Sequence, residues 1–480
     1  MAESPCRVLV ADKVADEGLE VLRRVGEVDV ITGLSESELR DIIGDYEALV
    51  VRSDTRVTRP VLEAAVKLQV VGRAGVGIDN IDVDAATERG VVVVNAPQGN
   101  TIAATEHTIS LILATARHIP QADASLRSGE WRRKEFLGTE LRGKTLGVLG
   151  LGNIGYEVAR RAIAFEMRVI AFDPFVSTEK AASIGVESAT VDEIISGSDF
   201  ITVHLPLNDT TRGMIGIAEI ERMKPDVRLI NVARGGIIDE HALVAGVKTG
   251  KVAGAAIDVF TAEPPGPDVP LFDDPRIIVT PHLGASTAEA QGRVAVDVAD
   301  QIEDVLSGRA ARYAVNAPIL SPEAIKVLGP YLGLCEMLGT IATRLVSGTL
   351  GPIEIDFFGE IAEHDVTPLR ASVIKGLLKP ISEKTVNMVN ASLIASARGW
   401  RIEERLNSSH DVFHNLIRVR VDTGDAEISV GGTMLHGRAH IVRINGLDVD
   451  IAPPDAGILL VCDNDDRPGM IGTLGTILGA

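Results

Sequence analysis

Cysteine is almost absent from this chain. Only Cys6, Cys335 and Cys462 occur in 480 residues, far apart and in no CxxC or metal-ligand spacing. That argues against a disulfide scaffold or a bound metal and leaves free thiols suited to a reducing compartment. Aromatic residues are scarce at 3%, while apolar residues reach 45%. The cores must therefore be built from Ala, Val, Ile and Leu, a composition that suits parallel sheets covered by helices. Positive charge is also short: 47 Lys and Arg face 67 Asp and Glu, a formal net charge of −20. A field of that sign argues against a general nucleic-acid or membrane binder, so any anionic substrate must be captured by local arginines. No apolar run approaches the ~18 residues of a membrane span. The opening MAESPCRVLVAD has no signal-peptide pattern, and a cytoplasmic protein is expected.

What is present is a rhythm of β-branched runs and amphipathic stretches, in a length that suits about three domains. VLVAD (8–12), VDVIT (28–32), ALVVRS (48–53), VVGRA (70–74) and VVVVNA (91–96) predict one parallel α/β sheet. Residues 100–118 predict one long, deeply buried helix, followed by the polar, basic stretch SLRSGEWRRKEF (125–136). TLGVLG (145–150), RVIAFD (168–173), FITVHL (200–205), RLINVA (228–233), AGAAIDVF (253–260) and IIVTPH (277–282) predict a second, six-stranded, doubly wound sheet. A helix from about residue 286 leads to YAVNAP (313–318), expected as a closing strand and linker. Beyond it, alternation at 353–361 and 415–451 predicts an α+β domain, and 457–480 predict a strand, a turn and the start of a helix.

The chemistry gathers in the second sheet. GLGNIG follows the strand at 145–150, opens a helix, and is followed by a strand ending in Asp173, 21 residues after Gly152. That context is a dinucleotide fingerprint. Gly150 permits the tight turn, Gly152 lets backbone approach a pyrophosphate, and Gly155 lets helix and strand pack closely. The helix N-terminus, with Asn153 and Ile154, supplies amide donors and positive potential. Asp173 would bond the ribose hydroxyls and disfavour a 2′-phosphate, which predicts NAD rather than NADP. Arg234, Asp258, Glu263 and His282 stand at the C-terminal ends of later strands, where open α/β sheets bind ligands. Hydride transfer from a hydroxy acid needs a guanidinium on the carboxylate, a base for the hydroxyl proton and a carboxylate to orient that base. Arg234, His282 and Glu263 fit those roles.

GLGNIG, NVARGGIIDE, DVF-x-x-EPP and TPHLGAS together resemble the D-isomer-specific 2-hydroxyacid dehydrogenase family, almost continuously over residues 5–318. The resemblance implies a Rossmann-type NAD-binding domain (100–285) inserted in a flavodoxin-like substrate domain (1–99 and 286–318). It places His204, Pro206, Thr210, Ala233 and Gly284 along the cofactor and Asp258 on the nicotinamide amide. The backbone amides of Val76 and Gly77 would hold the substrate carboxylate with Arg234. VRSDTRV, GRAGVGIDNIDVDAATERG and VVNAPQGNTIAATEHT narrow the resemblance to a branch that acts on a phosphorylated hydroxy acid. The implied reaction is NAD-dependent oxidation of 3-phospho-D-glycerate to 3-phosphohydroxypyruvate, the first step of L-serine biosynthesis. Arg52 is the stronger candidate for the phosphate and Arg73 the second. Arg132 and Arg133, beside Trp131 and Lys134, resemble a stretch that reaches a neighbouring subunit's active site, or form a solvated basic face. A homo-dimer or homo-tetramer is implied.

Residues 319–455 resemble an intervening regulatory domain of this branch, associated with anion sensitivity. His436, Arg438, His440 and Arg443 supply charge for such a site, or are ordinary exposed residues on strands. NDDRPGM (464–470) resembles the opening of an ACT domain, with Asn464 and Asp466 in the serine-binding turn. The stretch 456–480 is too short for that module, so serine feedback is not expected from it. The catalytic trio recognises only the carboxylate and the reacting carbon. Glyoxylate, hydroxypyruvate and 2-hydroxyglutarate therefore remain alternative substrates, and an NAD-sensing corepressor-like binding protein is a third reading. The formate dehydrogenases of the family are disfavoured, because they replace the Glu partner of His with Gln.

Overall fold

A computed structural model of the chain describes residues 6–318, 322–383, 385–424, 426–453, 459, 461 and 467–479. The five β-branched runs near the N-terminus form β1 (Cys6–Val10), β2 (Gly26–Val30), β3 (Ala48–Val51), β4 (Val70–Arg73) and β5 (Val92–Asn95). All pair in parallel, in the order β2-β1-β3-β4-β5. This is the flavodoxin-like order. The helices Asp16–Val25 and Ala288–Leu306 pack against each other beside it. Contact is close enough that a Cβ on Gly18 would lie 2.7 Å from the Ala295 Cβ. Residues 313–318, expected as a strand, make a single bridge from Ala314 to Val94 instead. Asn316, Pro318 and the surrounding turn interrupt any longer ladder.

The second sheet comprises β6 (Thr145–Leu149), β7 (Arg168–Phe172), β8 (Glu187–Ser188), β9 (Phe200–Val203), β10 (Val227–Asn231), β11 (Val252–Ile257) and β12 (Ile277–Val279). It is parallel throughout, in the order β12-β11-β10-β9-β6-β7-β8. The six strands read from the sequence are all present. The seventh, β8, is two exposed residues long and leaves no apolar signature. The helix Thr101–Arg117 covers this sheet with one face only; Ile102, Glu106, Ser110 and Arg117 are exposed, so it is less deeply buried than its composition suggested. Its threonines tolerate burial because Thr105 and Thr108 return their hydroxyls to the carbonyls of Thr101 and Ala104, at 2.7 and 2.8 Å.

The third sheet is mixed. Its strands are β13 (Ile353–Gly359), β14 (Ile402–Asn407), β15 (Asn415–Asp422), β16 (Glu427–Leu435), β17 (Arg438–Ile444) and β18 (Leu447–Ile451), in the order β14-β13-β15-β16-β17-β18. Only β13 and β14 run parallel. The helices Pro322–Leu345 and Thr367–Leu378 share a core with it, built from Leu334, Leu338, Phe357, Leu369, Val373 and Val419. Ala324–Leu345 is long and apolar enough to cross a membrane by length and composition. Here Leu328, Leu334, Cys335, Leu338 and Ala342 are buried in that core.

The first two sheets lie in one compact unit, up to Val83 and Val92–Val315. The third lies in a second unit, which also takes in Asp84–Val91. No local pattern announces that exchange. It rests on contacts such as Asn387 Nδ2 donating to the Gly90 carbonyl at 2.5 Å and Asn316 Nδ2 to the Val91 carbonyl at 2.9 Å. Near the C-terminus the structure describes a helix, Met470–Leu478. Asn464 and Asp466, and most of the strand and turn read before that helix, lie outside the described residues.

Candidate active site

The order of the second sheet reverses between β6 and β9, and the glycine loop leaves β6 at that switch point. Gly150 adopts φ +96°, and a Cβ there would lie 2.5 Å from the His204 carbonyl oxygen. Only glycine fits both demands. A Cβ on Gly155 would lie 2.0 Å from the Gly150 carbonyl oxygen, so the helix Asn153–Ala164 seats directly on the turn. A Cβ on Gly152 would meet nothing within 4 Å. No side chain caps the helix at Gly152. Open space beside uncapped amides is what a pyrophosphate requires. Asp173 ends β7 and stiffens the loop: its Oδ2 accepts the Leu151 N–H and its Oδ1 the Phe175 N–H, both at 2.8 Å. Each oxygen keeps a lone pair for a ribose hydroxyl. The residues present therefore fit a dinucleotide.

The other residues expected along the cofactor sit on neighbouring strand ends. Burial pushes His204 down to about 4, so its ring is neutral, and Nε2 pairs with Thr202 Oγ1 at 3.0 Å. Pro206 and Thr210 lie in an exposed loop, where Thr210 Oγ1 donates to Asn208 Oδ1 at 2.7 Å. The Ala233 N–H donates to Asn231 Oδ1 at 3.0 Å, and Gly284 is buried against Val232 and Asp258.

Asp258 differs from expectation. The resemblance places it on the nicotinamide amide, but it is 0% exposed. Its Oδ1 accepts the Thr280 hydroxyl at 2.6 Å and the Leu283 N–H at 2.8 Å, and its Oδ2 accepts the Gly284 N–H at 2.9 Å. His107 Nε2 lies 3.2 Å from Oδ1. The carboxylate is taken up in holding the turn that carries His282.

His282 stands on that turn at φ +52°, its N–H bonded to the Asp258 carbonyl at 2.9 Å. His282 Nδ1 is 2.7 Å from Glu263 Oε2, while Glu263 Oε1 accepts the Phe260 N–H at 3.0 Å. Burial raises the Glu263 carboxyl. The hydrogen bonds from His282 and Phe260 and the charges of His282 and Arg234 outweigh that and hold it below its usual range. An ionised Glu263 fixes the proton on Nδ1, and Nε2 has no partner among the described residues. That is the tautomer of a base.

Arg234 follows β10 on a loop tied down by Asn231, whose Nδ2 donates to the Arg234 carbonyl at 2.8 Å. Its Nε donates to Asp79 Oδ2 at 3.1 Å and its Nη1 to the Ala233 carbonyl at 2.7 Å. Nη2 abuts Gly77, where a Cβ would be only 2.1 Å away. The amides of Val76 and Gly77 have no acceptor among the described residues. Arg73 lies alongside, and its buried Nε has no partner there. Burial, and then the positive charges of Arg234 and Arg52, push Arg73 down to about 10. The two guanidinium charges act on Arg73 against the carboxylates of Asp79 and Asp12, which pull the other way; a group of three arginines in one field favours an anionic ligand. Arg52 is held by its backbone: its N–H donates to Asp12 Oδ2 at 2.5 Å, and its carbonyl accepts Asn80 Nδ2 at 2.7 Å. Asp79, Asp12, Asn80, Thr280 and His107 were not singled out from the sequence, although IDNID and ATEHT contain three of them.

Arg132 and Arg133 are exposed, and Arg132 pairs with Glu130 and Glu135. In the second unit His440 Nδ1 pairs with Asp450 Oδ1 at 2.8 Å, and Arg443 lies 3.7 Å from Asp448.

Comparison with known proteins identifies the family. The family of the D-isomer specific 2-hydroxyacid dehydrogenase NAD binding domain matches residues 109–284. The D-3-phosphoglycerate dehydrogenase intervening domain matches residues 327–445. The D-3-phosphoglycerate dehydrogenase of Archaeoglobus fulgidus is 44% identical, over 98% of this chain and 90% of that protein. That of Bacillus subtilis is 42% identical over the same shares. Among solved structures, a glyoxylate reductase from Paecilomyes thermophila superposes with a TM-score of 0.60 at 31% identity, over 65% of this chain and 98% of its own.

Proposed function

The chain belongs to the D-3-phosphoglycerate dehydrogenases of the D-isomer-specific 2-hydroxyacid dehydrogenase family, and from that premise we propose which of its residues carry the reaction. It oxidises 3-phospho-D-glycerate to 3-phosphohydroxypyruvate with NAD, the entry step of serine biosynthesis. Bound NAD supplies the acceptor for the hydride leaving C2. The glycine loop holds the pyrophosphate, with Asp173 on the ribose. Arg234 and the amides of Val76 and Gly77 hold the substrate carboxylate in a bidentate pose. His282 Nε2 takes the C2 hydroxyl proton, and Glu263 stabilises the imidazolium that results. Arg73 and Arg52 hold the phosphate. Arg73 is the stronger of the two in this reading, because its buried Nε lacks a partner.

The observation that carries this reading is the 2.7 Å contact of His282 with Glu263, which directs an unpartnered Nε2 outward. The test is NADH formation at 340 nm with 3-phosphoglycerate, D-glycerate, D-lactate and 2-hydroxyglutarate. Turnover confined to the phosphorylated acid, abolished in His282→Ala and with a raised KM in Arg73→Ala, supports it. Equal turnover of D-glycerate would refute the phosphate assignment while leaving the family intact.

We assign the domain limits 1–99 with 286–318, 100–285, 319–455 and 456–480 on the same footing, together with a cytoplasmic location. A homo-oligomer built on the nucleotide-binding lobe accounts for Trp131 and Leu137, which are 80% and 87% exposed. In that assembly Arg132 and Arg133 reach the neighbouring active site. His436, Arg438, His440 and Arg443 are the candidate residues for an anionic effector, and Asn464 and Asp466 for serine.

A further inference from the structure

His107 belongs to the helix Thr101–Arg117, far in sequence from the catalytic turn. Its Nε2 lies 3.2 Å from Asp258 Oδ1 and 3.3 Å from Thr280 Oγ1. Thr280 gives its single hydroxyl proton to Asp258 at 2.6 Å, so it can only accept from His107. Asp258 is a carboxylate and accepts as well. Both contacts therefore require a proton on Nε2, which fixes the ring's tautomer and makes His107 the donor that joins them.

The two residues it joins bracket His282. Thr280 lies two positions before it, and Asp258 accepts the backbone N–H groups of His282, Leu283 and Gly284. His282 itself sits at φ +52°, a conformation uncommon for a non-glycine residue and one that its hydrogen-bond partners help to hold. We propose that His107 is a positioning residue for the dehydrogenase reaction: through Asp258 and Thr280 it holds the left-handed turn that aims His282 at the substrate hydroxyl. The inference rests on His282 as the base. Removing the donor leaves a fully buried carboxylate one partner short. Asp258 and Thr280 then shift to recover it, and the turn shifts with them. Misplacement of a reacting group by about 1 Å can cost on the order of 10²-fold in rate.

Side-chain reach provides the test. A glutamine at 107 can place an amide N–H where Nε2 stands; an asparagine is one bond too short. His107→Asn should lower kcat about tenfold, with KM for NAD and for 3-phosphoglycerate within about twofold of wild type, the pattern of an interaction lost mainly in the transition state. His107→Gln should recover kcat to within about twofold. Equal kcat in the two variants, or a loss in His107→Asn carried by KM for NAD, would overturn the proposal. His282→Ala is run beside them. If it stays active, the assignment of the base fails, and if it is dead while His107→Asn is unimpaired, only the present inference fails. Circular dichroism and Tm confirm that each variant is folded, and should the Asn variant not fold, Thr280→Val removes the same link and is expected to show the same split.

Discussion

Replacing Gly152 and Gly155 by alanine, one at a time, separates ligand contact from packing at two positions three residues apart. At Gly155 the new Cβ would lie 2.0 Å from the Gly150 carbonyl oxygen, and that neighbour is backbone. A Cβ essentially never stands nearer than 3.0 Å to such an atom, so helix or turn must move by about 1 Å. Such overpacking costs about 1–3 kcal/mol, set against about 1 kcal/mol gained from alanine's helix propensity. Because the obstacle is backbone, the upper end applies and the net loss is about 2 kcal/mol. Tm should then fall by about 4–8 °C, at about 2–4 °C per kcal/mol for a unit of this class. At Gly152 the Cβ meets nothing within 4 Å. The loss there is the small N-cap difference between glycine and alanine, about 1 kcal/mol or less. The methyl group stands where the pyrophosphate must approach, so affinity for NAD should fall at least tenfold, or about 1.4 kcal/mol. Differential scanning fluorimetry reads both effects. Ligand at 100 times its Kd adds about 2.7 kcal/mol to the wild type. Without NAD, Gly152→Ala should lie no more than about 2–4 °C below wild-type Tm, and with NAD it should gain at most about half as much as wild type, whereas Gly155→Ala should start lower still. A Gly152→Ala protein stabilised by NAD as much as wild type would refute the reasoning.

Glu263 is held below its usual range, so its bonds add stability above its unfolded pKa, and that contribution is lost as pH falls through the folded value. The Tm gap between wild type and Glu263→Gln should therefore narrow from neutral pH to about pH 3; a constant gap would show that the pair does not titrate. Asp173→Ala should lower kcat/KM for NAD and raise the NADP to NAD ratio, measured with both cofactors. Asp79→Ala frees the Arg234 Nε, so KM for the hydroxy acid should rise several-fold with KM for NAD unchanged. Cys335 is completely buried and its thiol is pushed up, so the native protein should leave it unmodified by a thiol reagent that labels it after unfolding.

Much of this was legible beforehand because it is local. β-branched runs mark strands, glycine spacing marks the turn at 150–155, and residues just beyond strands fall at the ligand edge of an open sheet. The reading failed where partners are distant. The family resemblance placed Asp258 on the nicotinamide amide, but four donors from residues 107, 280, 283 and 284 enclose it. Asp79 reaches Arg234 across 155 positions. No periodicity encodes such a pair. Residues 84–91 carry no mark of the unit they join, and β8 is too short to produce a pattern.

The first sheet and its cover come from opposite flanks of the second. β6 to β12 are consecutive, from Thr145 to Val279, whereas the helix that packs against Gly18 and Gly72 begins only at Ala288. A chain emerging from a ribosome can close the nucleotide lobe from its own contiguous residues. The N-terminal strands must wait, their apolar face open, for a helix that begins 193 positions after the last of them ends, from Asn95 to Ala288. Loop closure of that span makes the substrate lobe the slower to form. During synthesis it is the earliest strands, not the latest, that most need protection from aggregation.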